Sequence, residues 1–365
     1  MVGRPDADAC YMRKAFGLAE RGRGRTSPNP LVGAVVVDGE GVIVGRGAHL
    51  EAGGPHAEVF ALRDAGARAA GATLYCTLEP CSHVGRTGAC APLVTSAGIA
   101  RVVVAIEDPN PLVAGAGLRH LREHGVAVRS GVLREQAEEQ NAAFLTSMRR
   151  RRPLVIVKAA ISLDGRVAAR PGERTRLTGP EADRWIHRQR AAVDALAVGS
   201  GTVLADDPLL TARGVHRWRP LTRVLFDTRL RTPTSARVLS TRGAGPVIIM
   251  TTEEMCARAP ERAEALAAAG AELERLPERS VKSAMERLGA RGITSIVVEG
   301  GPALHRAALG AGVVDAVQVY IAPRTLGPDA LAWIDRDQWM RTLRDRQVRV
   351  IGDDVLVEGH VHRTD

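Results

Sequence analysis

The sequence predicts an α/β protein of two domains, and three observations support this prediction. The chain has 365 residues, which is long enough for two separate hydrophobic cores. Short apolar β-prone runs alternate with helical patterns twice along it, an order typical of mostly parallel sheets covered by helices. A basic run, Arg149–Arg152, separates the two series ahead of Pro153. We expect a first domain at residues 1–147, a solvated basic linker at 148–153 and a second domain at 154–365.

The first series begins with a helix over residues 8–21, where apolar residues recur at helical spacing up to Gly22. The continuously apolar run Leu31–Val37 indicates a strand buried on both faces, with 42–47 as its hairpin partner. A polar helical stretch at 134–150 carries the chain out of this domain. Between them the pattern predicts helices at 55–66, 90–97 and 114–124 and strands at 73–78, 101–106 and 126–129.

The second series starts after Pro153 and ends in a tail, 348–357, that is typical of two antiparallel strands around the turn Gly352-Asp353-Asp354. Its apolar runs predict strands at 154–157, 195–198, 224–226, 247–250, 296–298 and 317–321. Its helical patterns predict helices near 180–192, 260–269, 280–289 and 302–310.

One stretch of the first domain has the composition of a catalytic zinc site. A catalytic zinc keeps three protein ligands and an open position for water, and His56, Cys81 and Cys90 supply one imidazole and two thiolates. Glu58 supplies an adjacent carboxylate that moves protons. This order, His-x-Glu followed by Pro-Cys and a second Cys, is the signature of zinc-dependent base deaminases. The preceding prolines, Pro55 and Pro80, predict that His56 and Cys81 lie at helix N-termini, where a thiolate is favoured.

The remaining cysteines have no partner motif. Five cysteines, an odd number in a long chain, argue against a disulfide framework and indicate reduced thiols. Cys76 lies in the strand predicted at 73–78, so we expect it to pack in the core and not to bind metal.

Charge and composition limit the classes of molecule that the protein is expected to bind. The net charge of +9 fits nucleic acid, a membrane surface or anionic small substrates. Only 3% of residues are aromatic, so the stacking platforms of single-strand binders would be hard to assemble. No apolar run reaches the 18 residues of a membrane span, and the N-terminus lacks the apolar core of a signal peptide. We expect a cytoplasmic protein that binds a phosphorylated metabolite and a dinucleotide, with no nucleic acid or membrane partner.

Gly-rich turns follow two strands of the second domain, at the strand ends where open α/β sheets bind ligands. The turns Gly199–Thr202 and Glu299–Pro302 are each open to two interpretations, a plain tight turn or a phosphate-binding loop. Lys158 lies inside an apolar strand, and a buried lysine is costly unless paired. A structural Lys–Asp pair and a substrate clamp both explain it.

Both halves resemble the bifunctional riboflavin-biosynthesis enzymes that join a diaminohydroxyphosphoribosylaminopyrimidine deaminase to a 5-amino-6-(5-phosphoribosylamino)uracil reductase. The resemblance covers nearly the whole chain. It implies a cytidine-deaminase-like three-layer α/β/α domain followed by a dihydrofolate-reductase-like α/β domain, and we expect a homo-oligomer. The segments that carry it are 27–33, 56–58, 79–87, 162–166, 202–208 and 299–302.

The resemblance implies a chemistry for the first domain. Zinc-activated hydroxide attacks the amine-bearing carbon of 2,5-diamino-6-ribosylamino-4(3H)-pyrimidinone 5′-phosphate, and Glu58 passes a proton to the departing ammonia. Eight residues, Ser82–Ala89, separate the zinc cysteines where many base deaminases have two. In the family this loop binds substrate, which implies substrate contacts for Asn29, His83 and Arg86. Gly88-Ala89 departs from a common Pro-Pro.

The resemblance also implies that the second domain uses NADPH to reduce the ribosyl chain to ribityl. The residues implied to face the cofactor are Ala160, Arg176, Thr202, Asp206, Thr228, Gly300 and Gly301. The residues implied to face the substrate are Lys158, Arg174, Arg190, Leu210, Arg213 and Glu299, among which the arginines suit a phosphate.

One segment departs from the family pattern, and it leaves alternatives open. Where Gly-x-Ser-x-Trp-Ile-Thr is usual, this chain has Arg174 and Arg176 in place of Ser and Trp. A deaminase with an inactive or redirected reductase domain is therefore the alternative to the bifunctional enzyme. A nucleic-acid-binding or editing deaminase is a third hypothesis, suggested by the sequence pI of about 10. The eight-residue insert and the second domain argue against that third hypothesis.

Overall fold

The structure of the chain is a computed structural model that describes residues 6–82, 88–110 and 114–361, apart from the side chains at 242 and 336–338. The chain forms two compact units, Met1–Arg150 and Arg151–Asp365, each built around its own sheet. Among the helices in these ranges, none is both long and apolar enough to cross a membrane.

The first unit is a five-stranded sheet with helices. Its elements are α1 (Ala7–Ala19), β1 (Gly33–Val37), β2 (Ile43–Ala48), α2 (Ala57–Ala65), β3 (Thr73–Leu78), α3 (Cys90–Ser96), β4 (Arg101–Ile106), α4 (Ala116–Glu123), β5 (Ala127–Arg129), α5 (Arg134–Gln140) and α6 (Ala142–Arg150). The strand order is β2-β1-β3-β4-β5. β1 is antiparallel to both neighbours, and β3, β4 and β5 are parallel.

The antiparallel β1–β2 hairpin was predicted, but the prediction of an otherwise parallel sheet is wrong for β1 and β3, which pair antiparallel. The β1–β2 hairpin reverses the chain before the first helical crossover. The crossover through α2 then returns the chain as β3 on the far side of β1, parallel to β2 and hence antiparallel to β1.

Two glycines bring helices against opposite faces of this sheet. A Cβ on Gly33 would lie 2.0 Å from the carbonyl oxygen of Ala15 in α1, and a Cβ on Gly47 would lie 1.9 Å from that of Ala57 in α2. Gly47 lies directly opposite Ala34, and opposed residues share a face, whereas Gly33 precedes Ala34 in β1 and points to the other face. α1 and α2 therefore form the outer layers of an α/β/α arrangement.

The second unit contains a nine-stranded sheet in the order β11-β10-β9-β8-β12-β6-β13-β16-β15 and a small β14–β7 pair. Its strands are β6 (Leu154–Ser162), β7 (Arg166–Ala168), β8 (Ala195–Gly199), β9 (Thr222–Phe226), β10 (Val247–Thr252), β11 (Ala271–Leu276), β12 (Ser295–Gly300), β13 (Ala316–Ala322), β14 (Leu331–Ala332), β15 (Arg344–Ile351) and β16 (Asp354–His360). Its helices are α7 (Pro180–Ala192), α8 (Ser200–Asp206), α9 (Arg237–Ser240), α10 (Glu253–Arg258), α11 (Pro260–Ala268), α12 (Val281–Ala290), α13 (Pro302–Gly310) and α14 (Arg336–Thr342). The strands from β11 to β13 are parallel, and β16 and β15 are antiparallel.

Alternate residues of the central strands enter two different apolar clusters. In β8, Ala195 and Ala197 belong to one cluster, and Leu196 and Val198 belong to the other. Because successive side chains of a strand point to opposite faces, the large sheet is buried on both sides. This double burial explains why its strands appear in the sequence as continuous apolar runs.

Every strand and helix predicted from the sequence has a counterpart in the structure whose bounds lie within a few residues, apart from one helix that is divided in two. The predicted helix 134–150 is two helices, α5 and α6, which meet at Asn141. Strand β11 was not predicted because Glu272, Glu274 and Arg275 obscure its apolar positions. Such polar residues are tolerated there because β11 is an edge strand of the sheet.

The sequence pattern predicts that the whole basic run Arg149–Arg152 is exposed to solvent, but one of its arginines is buried. Arg152 is only 6% exposed, and its guanidinium donates to both carboxylate oxygens of Asp315 at 2.6 and 2.8 Å. The same carboxylate accepts the backbone N–H of Val155 at 2.9 Å. The prediction of a solvated linker is therefore wrong for Arg152, since a run of four arginines does not reveal which one has a buried partner.

Candidate active sites

The structure brings the three predicted zinc ligands of the first unit together. His56 is the N-cap residue of α2, Cys90 is the first residue of α3, and Cys81 lies in the loop that follows β3. His56 Nδ1 lies 3.2 Å from Cys90 Sγ and 3.5 Å from Cys81 Sγ. All three candidate ligand atoms lie within 4.8 Å of one another. One nitrogen and two sulfurs at this spacing fit a tetrahedral zinc ion with one position left for water.

Cys81 differs from the prediction in its local structure. His56 does lie at a helix N-terminus, but no helix begins at Cys81, because Glu79 to Ser82 form an irregular loop. The Cys81 sulfur instead accepts the backbone N–H of Cys90 at 3.4 Å. Hydrogen bonds from the Cys90 thiol and from His56 lower the pKa of Cys81 to about 4. These hydrogen bonds favour the thiolate of Cys81, the form that binds metal.

Glu58 lies beside these ligands in the first turn of α2. It is only 3% exposed, and its Oε2 atom has no hydrogen-bond partner in the described part of the chain. Burial raises the pKa of Glu58, and the neighbouring His56 opposes that shift. A buried carboxylate with a free oxygen and a raised pKa can act as a general acid and base.

The predicted substrate contacts of the first unit are only partly described. Asn29 lies in the loop before β1, and its Nδ2 atom is 3.1 Å from His49 Nε2. The ring of His49 lies edge-on to that of His56, with 5.6 Å between their centroids. Asn29 is thus connected to the zinc ligands through one intervening ring. His83 and Arg86 lie outside the described residues.

Sequence reasoning missed the polar residues that support this site. The carboxylate of Glu79 accepts four backbone N–H groups at 2.9 to 3.2 Å, those of Asp108, Gly115, Gly117 and Leu118. It thereby fixes the loop and the start of α4 next to Cys81. Asn141 bonds both backbone groups of Leu31, accepting at 2.8 Å and donating at 3.0 Å. An acid beside Pro80-Cys81 was a usable signal for Glu79, whereas nothing in the sequence marked Asn141 or His49.

The second unit contains a cleft of about 1140 Å³ at the carboxyl ends of its parallel strands. All thirteen residues predicted to face cofactor or substrate line this one cleft, although they come from positions spread over the unit. They are Lys158, Ala160, Arg174, Arg176, Arg190, Thr202, Asp206, Leu210, Arg213, Thr228, Glu299, Gly300 and Gly301.

A group of three charged residues lies in the cleft wall. Arg190 donates to both carboxylate oxygens of Glu299, with Nε at 2.6 Å and Nη2 at 2.5 Å. Burial alone would raise the pKa of Glu299, but the charges of Arg190 and Lys158 outweigh it and lower the pKa to about 2. Burial lowers the pKa of Lys158, which has no carboxylate within 4.0 Å in the described part of the chain. A directly bonded structural Lys–Asp pair is therefore not what holds Lys158.

The two Gly-rich turns meet in the cleft. A Cβ on Gly301 would lie 3.4 Å from the side-chain oxygen of Thr202, so the loops are in contact across the cleft. Each turn leads into a helix, with Gly199 as the N-cap of α8 and Gly301 as the N-cap of α13. Two helix N-termini beside glycine fit the phosphates of a dinucleotide.

Arg174 and Arg176, which replace the usual Ser and Trp, differ in their surroundings. Arg176 is paired with Asp183 at 2.8 Å, and its side chain is 69% exposed. Burial raises the pKa of Asp206, and the charge of Arg174 opposes that shift. Asp183 and His187 line the cleft as well, and no motif had marked them.

The comparisons with known proteins agree with both sites. A family model described as the cytidine and deoxycytidylate deaminase zinc-binding region matches residues 5–106, and one described as the RibD C-terminal domain matches residues 153–357. Together with the geometry, these matches define a zinc-dependent deaminase joined to an NADPH-dependent reductase.

The chain belongs to the RibD family of bifunctional riboflavin-biosynthesis enzymes. It is 42% identical over 351 residues to the riboflavin biosynthesis protein RibD of Bacillus amyloliquefaciens, covering 94% of each chain. It is 40% identical to that of Escherichia coli, covering 96% of this chain and 98% of the relative.

Two solved structures extend the likeness to the whole fold. The structure of Acinetobacter baumannii RibD matches with a TM-score of 0.86 at 36% identity, covering 97% of this chain and 98% of that one. A diaminohydroxyphosphoribosylaminopyrimidine deaminase/5-amino-6-(5-phosphoribosylamino)uracil reductase of Thermotoga maritima matches with the same TM-score and coverages at 33% identity. The two-domain fold and the family predicted from the sequence motifs are therefore confirmed.

Proposed function

We propose that residues 1–147 deaminate 2,5-diamino-6-ribosylamino-4(3H)-pyrimidinone 5′-phosphate and that residues 154–365 reduce the ribosyl chain of the product to ribityl. The observation that carries this proposal is the His56, Cys81 and Cys90 cluster, with its atoms within 4.8 Å, beside the buried Glu58. The name of the Thermotoga maritima relative supports the substrate. The test is ammonia release from the diaminopyrimidine phosphate by zinc-loaded protein, followed by NADPH oxidation. Absence of ammonia release would contradict it.

In the first unit the chain's own residues bind, orient and move a proton. His56 and the two cysteines would hold zinc, which when bound would lower the pKa of a water molecule and so supply the nucleophile. Glu58 takes the proton of that water at its free carboxylate oxygen and delivers it to the leaving amine. Asn29 orients the pyrimidine. The proposal that His83 and Arg86 bind the substrate rests on the family resemblance.

In the second unit, opening of the ribosyl ring to an open chain requires a hydride at the anomeric carbon and a proton on the ring oxygen that leaves it. NADPH supplies the hydride when bound. Lys158 would supply the proton, which is supported by its position in the cleft wall and by its electrostatic interaction with Glu299. Arg174, Arg190, Leu210, Arg213 and Glu299 would hold the substrate, and Ala160, Arg176, Thr202, Asp206, Thr228, Gly300 and Gly301 would hold the cofactor.

The Arg176→Trp substitution tests the alternative of a redirected reductase. We expect it to change reductase kcat/KM by less than about fivefold, because tryptophan, the usual residue of the family at this position, can contact the cofactor in place of Arg176, and the exposed pair lost with Asp183 contributes at most about 1 kcal/mol. The measurement is NADPH oxidation with the deaminated substrate, and Arg170→Trp, in another exposed pair, serves as control. A large gain of activity in Arg176→Trp would show that the native arginine had redirected the domain.

We also propose that the protein forms a homo-oligomer through the open edge of β15. Strand β15 is the last strand of the nine-stranded sheet, and it exposes Val348 at 66% and Val350 at 77%. An exposed apolar edge is a template for pairing with a second copy. We expect Val350→Lys to lower the mass measured by light scattering, whereas Val42→Lys, at an exposed valine of the first unit, leaves it unchanged. An unchanged mass in Val350→Lys would exclude this edge.

A cytoplasmic location is proposed from the cysteine chemistry. The zinc site needs Cys81 and Cys90 as free thiolates, and reducing compartments keep thiols in that form. The location can be tested by fractionating cells that produce the tagged chain, and recovery in an oxidising compartment would contradict it.

A further inference from the structure

Two hydrogen bonds of the His49 ring connect Asn29, in the loop before β1, to Pro55, the residue that precedes the zinc ligand His56. The Nδ1 atom of His49 lies 3.0 Å from the carbonyl oxygen of Pro55, and its Nε2 atom lies 3.1 Å from Asn29 Nδ2. His49 is 2% exposed, and its backbone N–H donates to Val32 at 2.9 Å. Both ring nitrogens of His49 therefore have hydrogen-bond partners, Nδ1 in the carbonyl oxygen of Pro55 and Nε2 in the amide of Asn29.

The proton positions in this chain follow from its two ends. The carbonyl of Pro55 can only accept, so His49 Nδ1 carries a proton. The ring is buried, and the Nδ2 group of Asn29, which can only donate, lies 3.1 Å from its Nε2 atom, so Nε2 carries no proton and the ring is neutral. In a neutral imidazole the other nitrogen accepts, which means that His49 Nε2 accepts a hydrogen from the Asn29 amide.

This arrangement fixes which way the Asn29 amide points. Its NH₂ group must face His49, so its carbonyl oxygen Oδ1 is left to accept a hydrogen bond elsewhere. The loop itself is held from the other side, because Asn141 bonds both backbone groups of Leu31. The amide therefore has neither the freedom to flip nor the freedom to move with its loop.

We propose that His49 is a positioning residue of the deaminase site, which holds Asn29 so that Oδ1 accepts an N–H of the pyrimidine. The inference rests on the proposed substrate contact of Asn29. The orientation of Asn29 determines which ring edge the site recognises. An acceptor at this point favours an amino- or imino-bearing edge over one that presents a lone pair. A flipped amide would present NH₂ and select the opposite pattern.

Two substitutions at position 49 separate the two hydrogen bonds. His49→Asn keeps a donor near Pro55 and removes the acceptor for Asn29, whereas His49→Gln places an amide oxygen near Asn29 and removes the bond to Pro55. We expect His49→Asn to raise the deaminase KM by about tenfold with little change in kcat, the loss of one well-placed hydrogen bond. His49→Gln is expected to restore most of the affinity. Zinc content and reductase activity of the same chain report on folding and metal loading.

A double-mutant cycle shows whether His49 acts through Asn29. We expect His49→Asn to have no further effect on KM in an Asn29→Ala background, because coupled residues are not additive. If Asn29→Ala alone leaves KM unchanged, the proposed substrate contact of Asn29 fails. If Asn29→Ala raises KM but His49→Asn adds its full effect to it, or lowers kcat together with zinc content, the positioning role fails.

The tautomer can be observed directly. In protein labelled with ¹⁵N-histidine, the long-range proton–nitrogen correlations of His49, assigned with His49→Asn, distinguish the protonated from the unprotonated nitrogen. We expect the proton on Nδ1 in the zinc-loaded enzyme. A proton on Nε2 would overturn the inference, because Asn29 would then have to present its NH₂ group to the substrate.

Discussion

Replacing Glu58 with Gln is expected to lower deaminase kcat by about 10² to 10⁴-fold, the range attributed to a general acid–base group. The amide is nearly the same size but can neither take the proton of the attacking water nor return it to the leaving amine. Because the Glu58 carboxylate is not one of the three clustered zinc ligands, the substitution should leave zinc binding unchanged. Reductase activity should also remain, since the second unit has a cleft of its own.

The experiment compares ammonia release, zinc content and NADPH oxidation in one preparation of Glu58→Gln. Glu40→Gln, which changes an exposed carboxylate in the β1–β2 turn, is the matched control and should leave all three unchanged. Near-normal ammonia release by Glu58→Gln would rule out the proposed proton transfer. Loss of zinc together with activity would show that the carboxylate supports the metal site instead.

The zinc ligands could be predicted from the sequence because their chemistry is local. His56 and Glu58 are two residues apart, and Cys81 and Cys90 flank one loop, so residue type and spacing were enough. The supporting bonds could not be predicted, because they join distant segments. Asn141 lies 110 residues from its partner Leu31, and Glu79 bonds N–H groups that follow it by 29 to 39 residues.

The reductase cleft shows the same division between local patterns and tertiary contacts. Parallel strands bring their carboxyl ends to one edge, so the Gly-rich turns after β8 and β12 meet there although about 100 residues separate them. The prediction that Lys158 lies in an apolar strand was confirmed. Arg190 pairs with Glu299, and Arg176 pairs with Asp183. These pairings depend on tertiary packing, which the periodicity of the sequence does not reveal.

Replacing Lys158 with Met is expected to lower reductase kcat by about 10² to 10⁴-fold while deamination continues. Methionine fills a similar volume but cannot donate a proton to the ring oxygen of the substrate. Lys282→Met, at an exposed lysine of α12, is the matched control. Undiminished NADPH oxidation by Lys158→Met would contradict the role of Lys158 as proton donor.

The pH dependence separates proton donation by Lys158 from a purely electrostatic role. Burial lowers the pKa of Lys158, so its ammonium form, the proton donor, is lost as pH rises through a value below the ordinary lysine range. We therefore expect wild-type reductase kcat/KM to fall on the alkaline side. A guanidinium keeps its charge at these pH values, so Lys158→Arg would hold the substrate's negative groups but donate poorly. If Lys158→Arg has low activity and shows no alkaline fall, the result would support proton donation. If it keeps the wild-type kcat and loses only the alkaline fall, only the charge of Lys158 is needed.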